Sequence, residues 1–401
     1  MRALVVAGQF AGPGISPWLL DDLVLALAQA GHEVDVIVFD SKHARPKGPA
    51  AIQYANVRIC SVGPTVIRPG RIGKLLAHSA AGFGLHTRGY RFSHGRDYDV
   101  CMYTSIATFS WGFPTRLRIR GRAKTLLFIL WDFFPIHQIE IGRIRARAWH
   151  MPLRHLERAS MKRADIVAVM SDANERFLRS YHPGLKAQIA IVPPWASGPN
   201  VFASGTRRDR FTAVFGGQLA HGRGIETLLL AAKELQGESN DIEILVLGDG
   251  TEKEKLIATS RDLGLNNLVF QPSLPRSEYR ALINSVHVGI AITVPNVTPP
   301  TFPSKIVEYC ASALPVVVCV EESSDAGQLI EQWGAGIAVP AGDSVALARA
   351  LLVLYAEYKA GSLPARSDAA LALFSSELSV SRAVSRLEAA VELAINTPGR
   401  S

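Results

Sequence analysis

Short runs of β-branched and aliphatic residues alternate with segments of helical periodicity along almost the whole chain. Strands that alternate with helices indicate a parallel sheet, because the crossover between two parallel strands needs a connection about as long as a helix. The predicted strands of the first half lie at residues 3–7, 33–39, 100–103, 125–130, 165–170 and 189–192, and the first predicted helix lies at 18–30. The pattern predicts an α/β protein with a doubly wound parallel sheet.

The alternation restarts after a segment rich in proline and small residues. Residues 193–200 have the composition of an interdomain linker. Beyond it, the predicted strands lie at 211–215, 242–247, 267–270, 286–292 and 315–320, and the predicted helices at 224–235, 251–262, 304–313, 345–358 and 380–395. We therefore expect two Rossmann-like domains that face a cleft, at residues 1–195 and 196–375. A C-terminal helix within 376–401 could pack back against the first domain.

Length and composition agree with two packed domains. The chain has 401 residues, 48% of them hydrophobic and 19% charged, which suits two cores and gives no general case for disorder. Residues 1–195 carry 26 Lys and Arg against 13 Asp and Glu, a net charge of +13, whereas the rest of the chain has a net charge of −5. Opposite signs indicate that the two domains face different partners.

The cysteines and the apolar runs exclude several classes of protein. Cys60, Cys101, Cys310 and Cys319 show no CxxC spacing and lie in apolar runs, which favours buried thiols over a disulfide framework or a zinc site. The initial run Met-Arg-Ala-Leu-Val-Val-Ala-Gly is short for a signal peptide and predicts a strand. No run reaches the roughly 18 apolar residues that span a bilayer.

Two predicted strands of the second half end in glycine-rich turns. Ligands of open parallel sheets bind beyond the carboxyl ends of the strands, where glycine lets the backbone approach them. One turn contains Gly216 and Gly217 and is followed by Arg223; the other is Gly248-Asp249-Gly250. An ordinary turn would have the same sequence, so each turn alone leaves both interpretations open.

A third segment carries more information. Pro303 and Ser304 precede a predicted helix that has Lys305 and Glu308 in its first turns. A lysine at the start of a helix opposes the helix dipole, and it becomes favourable if an anion binds there. One interpretation places Lys305 on a phosphate and Glu308 on sugar hydroxyls. The other is a surface ion pair between these two side chains, which are three residues apart.

Taken in order, these segments resemble the retaining nucleotide-sugar glycosyltransferases of family 4, which have the GT-B fold. Residues 164–171 (Ala-Asp-Ile-Val-Ala-Val-Met-Ser) are similar to the family's ADxVxxxS strand, 217–224 to its GRLxxxKG segment and 248–250 to its GDG turn. Residues 302–318 resemble its EGFGLPxLEAMAxGxPVV segment, in the FPSK form of enzymes that build bacterial surface polysaccharides. The resemblance covers most of residues 165–345 and is looser over the first half.

The resemblance assigns a donor site to the second domain. The family's arginine and lysine that hold the donor diphosphate fall on Gln218, which has lost the charge, and on Arg223, which keeps it. Glu308 falls on the acid that binds the ribose hydroxyls, and the acid that contacts the donor sugar falls on Pro300, which cannot do so. Lys305 and the backbone amides near Ser304 would then compensate. The implied donor-binding residues are Gly217, Gln218, Gly248, Gly250, Pro303, Ser304 and Glu308.

The first domain would then bind the acceptor. Asp132 stands where the family often has a His-Asp pair and would orient the acceptor hydroxyl, unless it serves only as a helix N-cap. His137 is interpreted first as a loop or core histidine and second as an acceptor contact. Gly12 and Gly14 match glycines of the family's first loop, although a plain turn would look the same.

These assignments imply a reaction. A sugar would pass with retention from a UDP- or GDP-sugar to a glycan acceptor linked to a polyprenyl diphosphate, with Arg223, Lys305 and Asp132 as catalytic candidates. The family needs no metal or other cofactor, and the sequence shows no DxD pair placed to hold one. Two alternatives stay open: a nucleotide-sugar 2-epimerase on the same fold, and a non-catalytic partner subunit.

Three basic clusters account for the positive first half. An arginine-rich helix with an apolar face suits an anionic membrane surface, and an ordinary solvated basic face is the alternative. Nucleic acid is a poorer partner, because no nucleic-acid motif accompanies the charge. We expect a cytoplasmic protein, peripheral at the inner face of the plasma membrane. The clusters are Arg68, Arg71, Lys74, Arg88, Arg91 and Arg96; Arg116, Arg118, Arg120, Arg122 and Lys124; and Arg143, Arg145, Arg147, Arg154, Arg158, Lys162 and Arg163.

Overall fold

Seven parallel strands form the sheet of the first domain in a computed structural model. The strand order is β3-β2-β1-β4-β5-β6-β7, which reverses direction between β1 and β4. The strands are β1 (Arg2–Ala7), β2 (Glu33–Val38), β3 (Val57–Ser61), β4 (Tyr98–Thr104), β5 (Ala123–Ile129), β6 (Ile166–Val169) and β7 (Gln188–Ile191). The structure describes residues 1–8, 10, 19–39, 56–64, 66, 70–104, 112–144, 148, 150–201, 207–239 and 241–396.

Helices connect these strands. α7 begins where Ser171 caps its first turn, because the Ser171 hydroxyl accepts a bond from the Asn174 amide at 3.3 Å and Asp172 adds negative charge beside the helix N-terminus. The helices are α1 (Leu19–Gln29), α2 (Gly70–Gly84), α3 (Tyr90–Phe92), α4 (Gly112–Ile119), α5 (Ile136–Glu140), α6 (His150–Lys162) and α7 (Asp172–Tyr181), with a π-helical turn at Leu85–Gly89 between α2 and α3.

Six parallel strands form the second sheet, in the order β10-β9-β8-β11-β12-β13. Helices cover both faces of such a sheet, so its central strands are apolar throughout. The run Val-Val-Val-Cys-Val of β12 is accordingly buried at every position. The strands are β8 (Phe211–Gly216), β9 (Ile242–Leu247), β10 (Leu268–Gln271), β11 (Val288–Ile292), β12 (Val316–Val320) and β13 (Gly336–Pro340).

The last helix of the chain returns to the first domain. Leu387 and Val391 are buried in one cluster with Leu20 and Leu27 of α1, so the two domains are joined by more than the segment that links their sheets. The helices are α8 (Glu226–Glu238), α9 (Lys253–Asp262), α10 (Arg276–Ser285), α11 (Lys305–Ala311), α12 (Ala326–Gln332), α13 (Ser344–Lys359), α14 (Leu363–Leu373) and α15 (Val380–Asn396), with a π-helical turn at Phe374–Leu378 between α14 and α15.

The predicted fold class, two doubly wound parallel sheets, is confirmed. The prediction gave bounds for only α1 among the helices of the first domain, and it omitted β3, β13, α10, α12 and α14. β3 carries a charged Arg58, and β13 begins with glycine and ends with proline, so neither has the apolar run of a central strand. Cys101, Cys310 and Cys319 are buried thiols and Cys60 is partly buried. None of the described helices has the length and apolarity that would let it cross a membrane.

Candidate active site

A pocket of about 390 Å³ lies between the two domains, next to the carboxyl ends of the strands. Its second-domain wall follows β8 and β11, the neighbouring strands between which the order of that sheet reverses. Ligands of open α/β sheets bind at such a switch point. The first domain contributes Leu19, Trp131, Asp132, His137, Met170 and Pro194, and the second contributes Gly222, Arg223, Ile292, Thr293, Val294, Thr301, Phe302, Pro303 and Ser304. Five residues selected from the sequence thus meet in one pocket.

Asp132 lies on a loop that a buried acid holds in place. The loop follows β5, and the amide of Phe134 donates a hydrogen bond of 2.7 Å to Oε1 of Glu157 on α6. The other oxygen of Glu157 bonds to Nε2 of His182 at 2.8 Å, and both side chains are buried. Burial raises the pKa of Glu157, and His182 opposes that shift. Since Pro135 caps α5, Asp132 is not its N-cap, and its exposed carboxylate borders the pocket.

His137 lies on the first turn of α5 and lines the pocket. Its amide donates to the carbonyl of Phe133 at 3.1 Å. Its Nδ1 is buried and has no hydrogen-bond partner within the part of the chain that the structure describes. The backbone bond fixes the main chain at this residue, and the ring retains hydrogen-bonding capacity at Nδ1.

Arg223 lies within electrostatic range of a second arginine, Arg143, that the sequence did not select for the site. Burial lowers the pKa of Arg223, Arg143 lowers it further by repulsion, and Asp132 raises it. Arg143 was predicted only as part of a basic cluster. It lies next to a point where the domains touch, because a Cβ at Gly222 would come within 3.1 Å of the Cβ of Ile141. Two guanidinium groups and one carboxylate thus influence one another across the cleft, which is a net positive setting for an anion.

Lys305 and Glu308 form the ion pair that was one of the two sequence interpretations. Nζ of Lys305 lies 2.7 Å from Oε2 of Glu308 and 4.8 Å from the centre of the Tyr279 ring. Both charged side chains keep about a third of their surface exposed. Burial lowers the pKa of Lys305, but Glu308 and Tyr309 together more than offset this, so the pKa lies above its ordinary value. Ser304 makes no side-chain capping bond and lines the pocket, whereas Lys305 and Glu308 are not among the residues that line it.

Two arginines of α10 add positive charge beside this pair. Nη2 of Arg276 lies 3.5 Å from Oδ2 of Asp22 on α1, so it also bridges the two domains. Burial and then Arg276 lower the pKa of Arg280, while Asp22 and Glu308 raise it. The sequence missed both arginines because α10 itself was not predicted.

The four donor-site residues of the two glycine-rich turns lie outside the residues that line the pocket. A Cβ at Gly248 would lie 1.9 Å from the carbonyl oxygen of Gly217, and one at Gly250 would lie 2.1 Å from that of Leu219. These glycines therefore let two backbone turns pack against each other, as the turn interpretation requires. Gln218 is exposed in the same region. Gly12 and Gly14 lie outside the described residues.

Pro300 holds an interdomain contact. Its carbonyl oxygen accepts a hydrogen bond of 2.8 Å from Nδ2 of Asn174 on α7. Within the described part of the chain, no three His, Cys, Asp or Glu side chains converge to hold a metal ion.

Two family comparisons match most of the chain. Residues 19–195 match the glycosyl transferase 4-like domain, and residues 210–357 match the glycosyl transferases group 1. The two matches lie one in each domain and meet at the cleft just described. The chain belongs to the GT-B glycosyltransferases. No curated protein sequence matches this glycosyltransferase significantly.

Solved structures show the same fold at low sequence identity. Sucrose-phosphate synthase from Thermosynechococcus elongatus is 16% identical with a TM-score of 0.75, over 99% of this chain and 100% of that one. HepE from Anabaena, in complex with UDP, is 14% identical with a TM-score of 0.66, over 98% and 100%. WaaG, a glycosyltransferase of lipopolysaccharide biosynthesis, is 12% identical with a TM-score of 0.64, over 99% and 100%. These structures confirm the predicted GT-B architecture, and the two family matches confirm the predicted glycosyltransferase activity.

Proposed function

We propose that this glycosyltransferase transfers a sugar, with retention, from a nucleotide-diphospho-sugar to a glycan acceptor in the synthesis of a bacterial surface polysaccharide. The observation that carries the proposal is the interdomain pocket, which brings Asp132 and His137 together with Arg223, Pro303 and Ser304. One wall of the pocket carries the Arg223 guanidinium, suited to a leaving diphosphate, and the other carries a carboxylate suited to a hydroxyl group.

The donor we propose is a UDP- or GDP-sugar. HepE, which has the same fold, has been solved with UDP and with UDP-glucose. Arg223 and Lys305 are assigned to the diphosphate, since a guanidinium forms paired hydrogen bonds to phosphate oxygens and an ammonium acts as a compact point charge. Glu308 is assigned to the ribose, where its carboxylate would accept hydrogen bonds from hydroxyl groups.

The proposed chemistry takes place on one face of the sugar. The bond between the anomeric carbon and the diphosphate oxygen breaks while the acceptor oxygen bonds to the same carbon, and the acceptor's proton passes to the departing phosphate oxygen. Negative charge grows on that phosphate, and fixed positive groups stabilise it. Arg223 and Lys305 take this role, and Asp132 orients the acceptor hydroxyl. No metal or other cofactor enters this proposal.

The acceptor we propose is linked to a polyprenyl diphosphate at the cytoplasmic face of the plasma membrane. Phe83 of α2 is 73% exposed and Met151 of α6 is 51% exposed, which places apolar side chains on the surface of the basic domain. Several basic residues are bound within the protein: Arg118 pairs with Asp165 at 2.7 Å, and Arg116 stacks 4.0 Å from the Tyr90 ring centre. The membrane would therefore contact α2 and α6 rather than the whole basic surface.

Calorimetric titration with UDP-glucose, GDP-mannose and the free diphosphates tests the donor site. The wild-type protein should bind one diphosphate and its sugar, and Arg223→Ala and Lys305→Ala should each weaken binding at least tenfold. Arg179→Ala and Lys255→Ala, which remove exposed cations elsewhere, are the matched controls. Unchanged affinity in both site variants would exclude the proposed donor site. An assay with candidate lipid-linked acceptors then tests for transfer and for the configuration of the product.

A further inference from the structure

A buried carboxylate lies directly behind the second-domain wall of the pocket. Glu321 follows β12 and is only 4% exposed. Its Oε2 accepts a bond of 2.5 Å from the hydroxyl of Thr293. Its Oε1 accepts bonds of 2.7 Å from the hydroxyl and 2.6 Å from the amide of Thr301. Both threonines line the pocket.

The groups that donate hydrogen bonds to the Glu321 carboxylate are neutral dipoles. The donors given above are two hydroxyls and one amide, and within the described residues no Lys or Arg side chain forms an ion pair with Glu321. Removing a carboxylate from water costs several kcal/mol. A neutral side chain could join the strand to the loop without this cost, so a purely structural role does not explain a glutamate here.

The hydrogen-bond directions fix what the threonines offer to a ligand. A hydroxyl group has one proton and two lone pairs. Thr293 and Thr301 both donate their proton to Glu321, and the Thr293 oxygen also accepts a 3.3 Å bond from the Glu321 amide. The Thr293 oxygen therefore presents one lone pair, and the Thr301 oxygen presents its lone pairs, to a further partner. A group with hydroxyl protons fits this wall, whereas a phosphate or carboxylate, which only accepts, is repelled by it. The cations at Arg223 and Lys305 have the opposite preference.

We propose that Glu321 is a positioning residue that aligns Thr293 and Thr301 to accept hydrogen bonds from the donor's sugar. This inference rests on the proposed function and deepens it. The pocket then has two parts: a cationic part for the diphosphate, and a part made of Thr293, Thr301 and Glu321 that recognises the hydroxyl groups of the sugar. The hydrogen bond from the Thr301 amide to Glu321 also fixes the loop that continues to Ser304.

The substitution Glu321→Gln distinguishes recognition of the donor's sugar from recognition of its diphosphate. The two side chains have the same shape, but the amide group of glutamine donates hydrogen bonds, so at least one threonine hydroxyl must turn its proton away from residue 321. Calorimetry on UDP-glucose and UDP, with GDP-mannose and GDP in parallel, measures the effect. We expect affinity for the nucleotide-sugar to fall about tenfold while affinity for its free diphosphate changes less than twofold. Glu322→Gln, at the exposed neighbouring position, should change neither.

Thr293→Val and Thr301→Val provide a second test that keeps Glu321. Each removes one hydroxyl with little change of volume, and each should weaken the nucleotide-sugar three- to tenfold and leave the diphosphate unaffected. They also decide the question if Glu321→Gln does not fold. Equal losses for sugar and diphosphate, or no loss in any variant, would overturn the inference. A wild-type protein that binds neither diphosphate nor nucleotide-sugar instead refutes the proposed function at the outset.

Discussion

Glu140 of the first domain binds Thr298 of the second through two hydrogen bonds, of 2.7 Å from the Thr298 amide and 2.6 Å from its hydroxyl. The contact lies next to the segment where Ile141 packs on Gly222. It therefore holds the two walls of the pocket at the separation seen here. Both residues are exposed, so the contact forms and breaks without opening either core.

Glu140→Ala should loosen the pocket without unfolding either domain. Each hydrogen bond to a charged group contributes about 1.5–3 kcal/mol when it is shielded and less at an exposed site. We expect donor affinity to fall two- to tenfold while the thermal unfolding midpoint moves by less than about 2 °C, as for a surface substitution. Calorimetry and thermal denaturation measure the two quantities. Glu175→Ala on α7 is the control. An equal loss of donor affinity in Glu175→Ala would show that the Glu140 contact does not hold the pocket specifically.

The architecture was predictable because buried parallel strands are apolar throughout, as β12 is, and such runs stand out in a sequence. Arg223 and Ser304 could be selected because they follow a strand or precede a helix whose pattern was clear, and Asp132 could be selected through the resemblance to the family. Arg143, Arg276 and Glu321 could not be selected in this way, since their importance depends on which loops meet across the cleft. Glu321 in particular follows a strand like many other acids, and only its burial beneath Thr293 and Thr301 distinguishes it.

Arg223→Ala should slow transfer more than it weakens donor binding. A group that stabilises charge appearing in the transition state contributes about 2.7–4 kcal/mol, or a 10²–10³-fold change in kcat. Arg223→Lys should recover part of this loss. Steady-state kinetics on the wild type and both variants provides the measurement. A kcat within threefold of the wild type in Arg223→Ala would show that Arg223 does not stabilise the leaving phosphate.

The loss of diphosphate binding free energy caused by Arg143→Ala should depend on whether Arg223 is present. Arg143 and Arg223 influence each other electrostatically, and Arg223 lines the pocket. If one anion lies between them, the double variant should lose less binding free energy than the sum of the single variants, because contacts that share a partner are not additive. Calorimetric titration of all four proteins with the diphosphate completes this cycle. Strictly additive losses would place the two arginines on different groups.

Glu157→Gln should weaken the support of the loop that carries Asp132. The buried carboxylate holds both the Phe134 amide and His182, and breaking a buried pair by changing one partner costs about 3–5 kcal/mol at the upper limit. Because glutamine keeps one acceptor oxygen, we expect a smaller loss of unfolding free energy together with a lower kcat. Denaturant unfolding and kinetics test both. A variant that is destabilised but fully active would show that Glu157 is not needed to position Asp132 for transfer.

Transfer should continue in the presence of a chelator. The proposed site neutralises the leaving diphosphate with Arg223 and Lys305, so no divalent cation is assigned to it. We expect the rate in excess EDTA to stay within twofold of the untreated rate. The comparison includes parallel assays with added Mg²⁺ and Mn²⁺. A rate that collapses with EDTA and returns with either ion would require a metal in the mechanism.

His287 should make the free energy of unfolding depend on pH between about 6.5 and 4. The imidazole is fully buried, accepts a 3.1 Å bond from the Thr212 amide through Nδ1, and packs 4.7 Å from the Tyr358 ring centre. Burial, assisted by Arg207, lowers its pKa from 6.5 to about 4. As the pH falls through this interval the unfolded chain takes up a proton that the folded chain refuses, so stability declines by about 3 kcal/mol.

Denaturant unfolding at pH 7 and at pH 4 measures this loss against a variant that lacks the buried imidazole. His287→Asn keeps an acceptor at the position of Nδ1 and removes the titrating ring, so its unfolding free energy should drop less than that of the wild type over the same interval. His155→Asn, at an exposed site, should leave the wild-type pH dependence in place. Parallel curves for wild type and His287→Asn would mean that other groups control the acid side of the stability profile, because the difference between the two proteins isolates the proton excluded at residue 287.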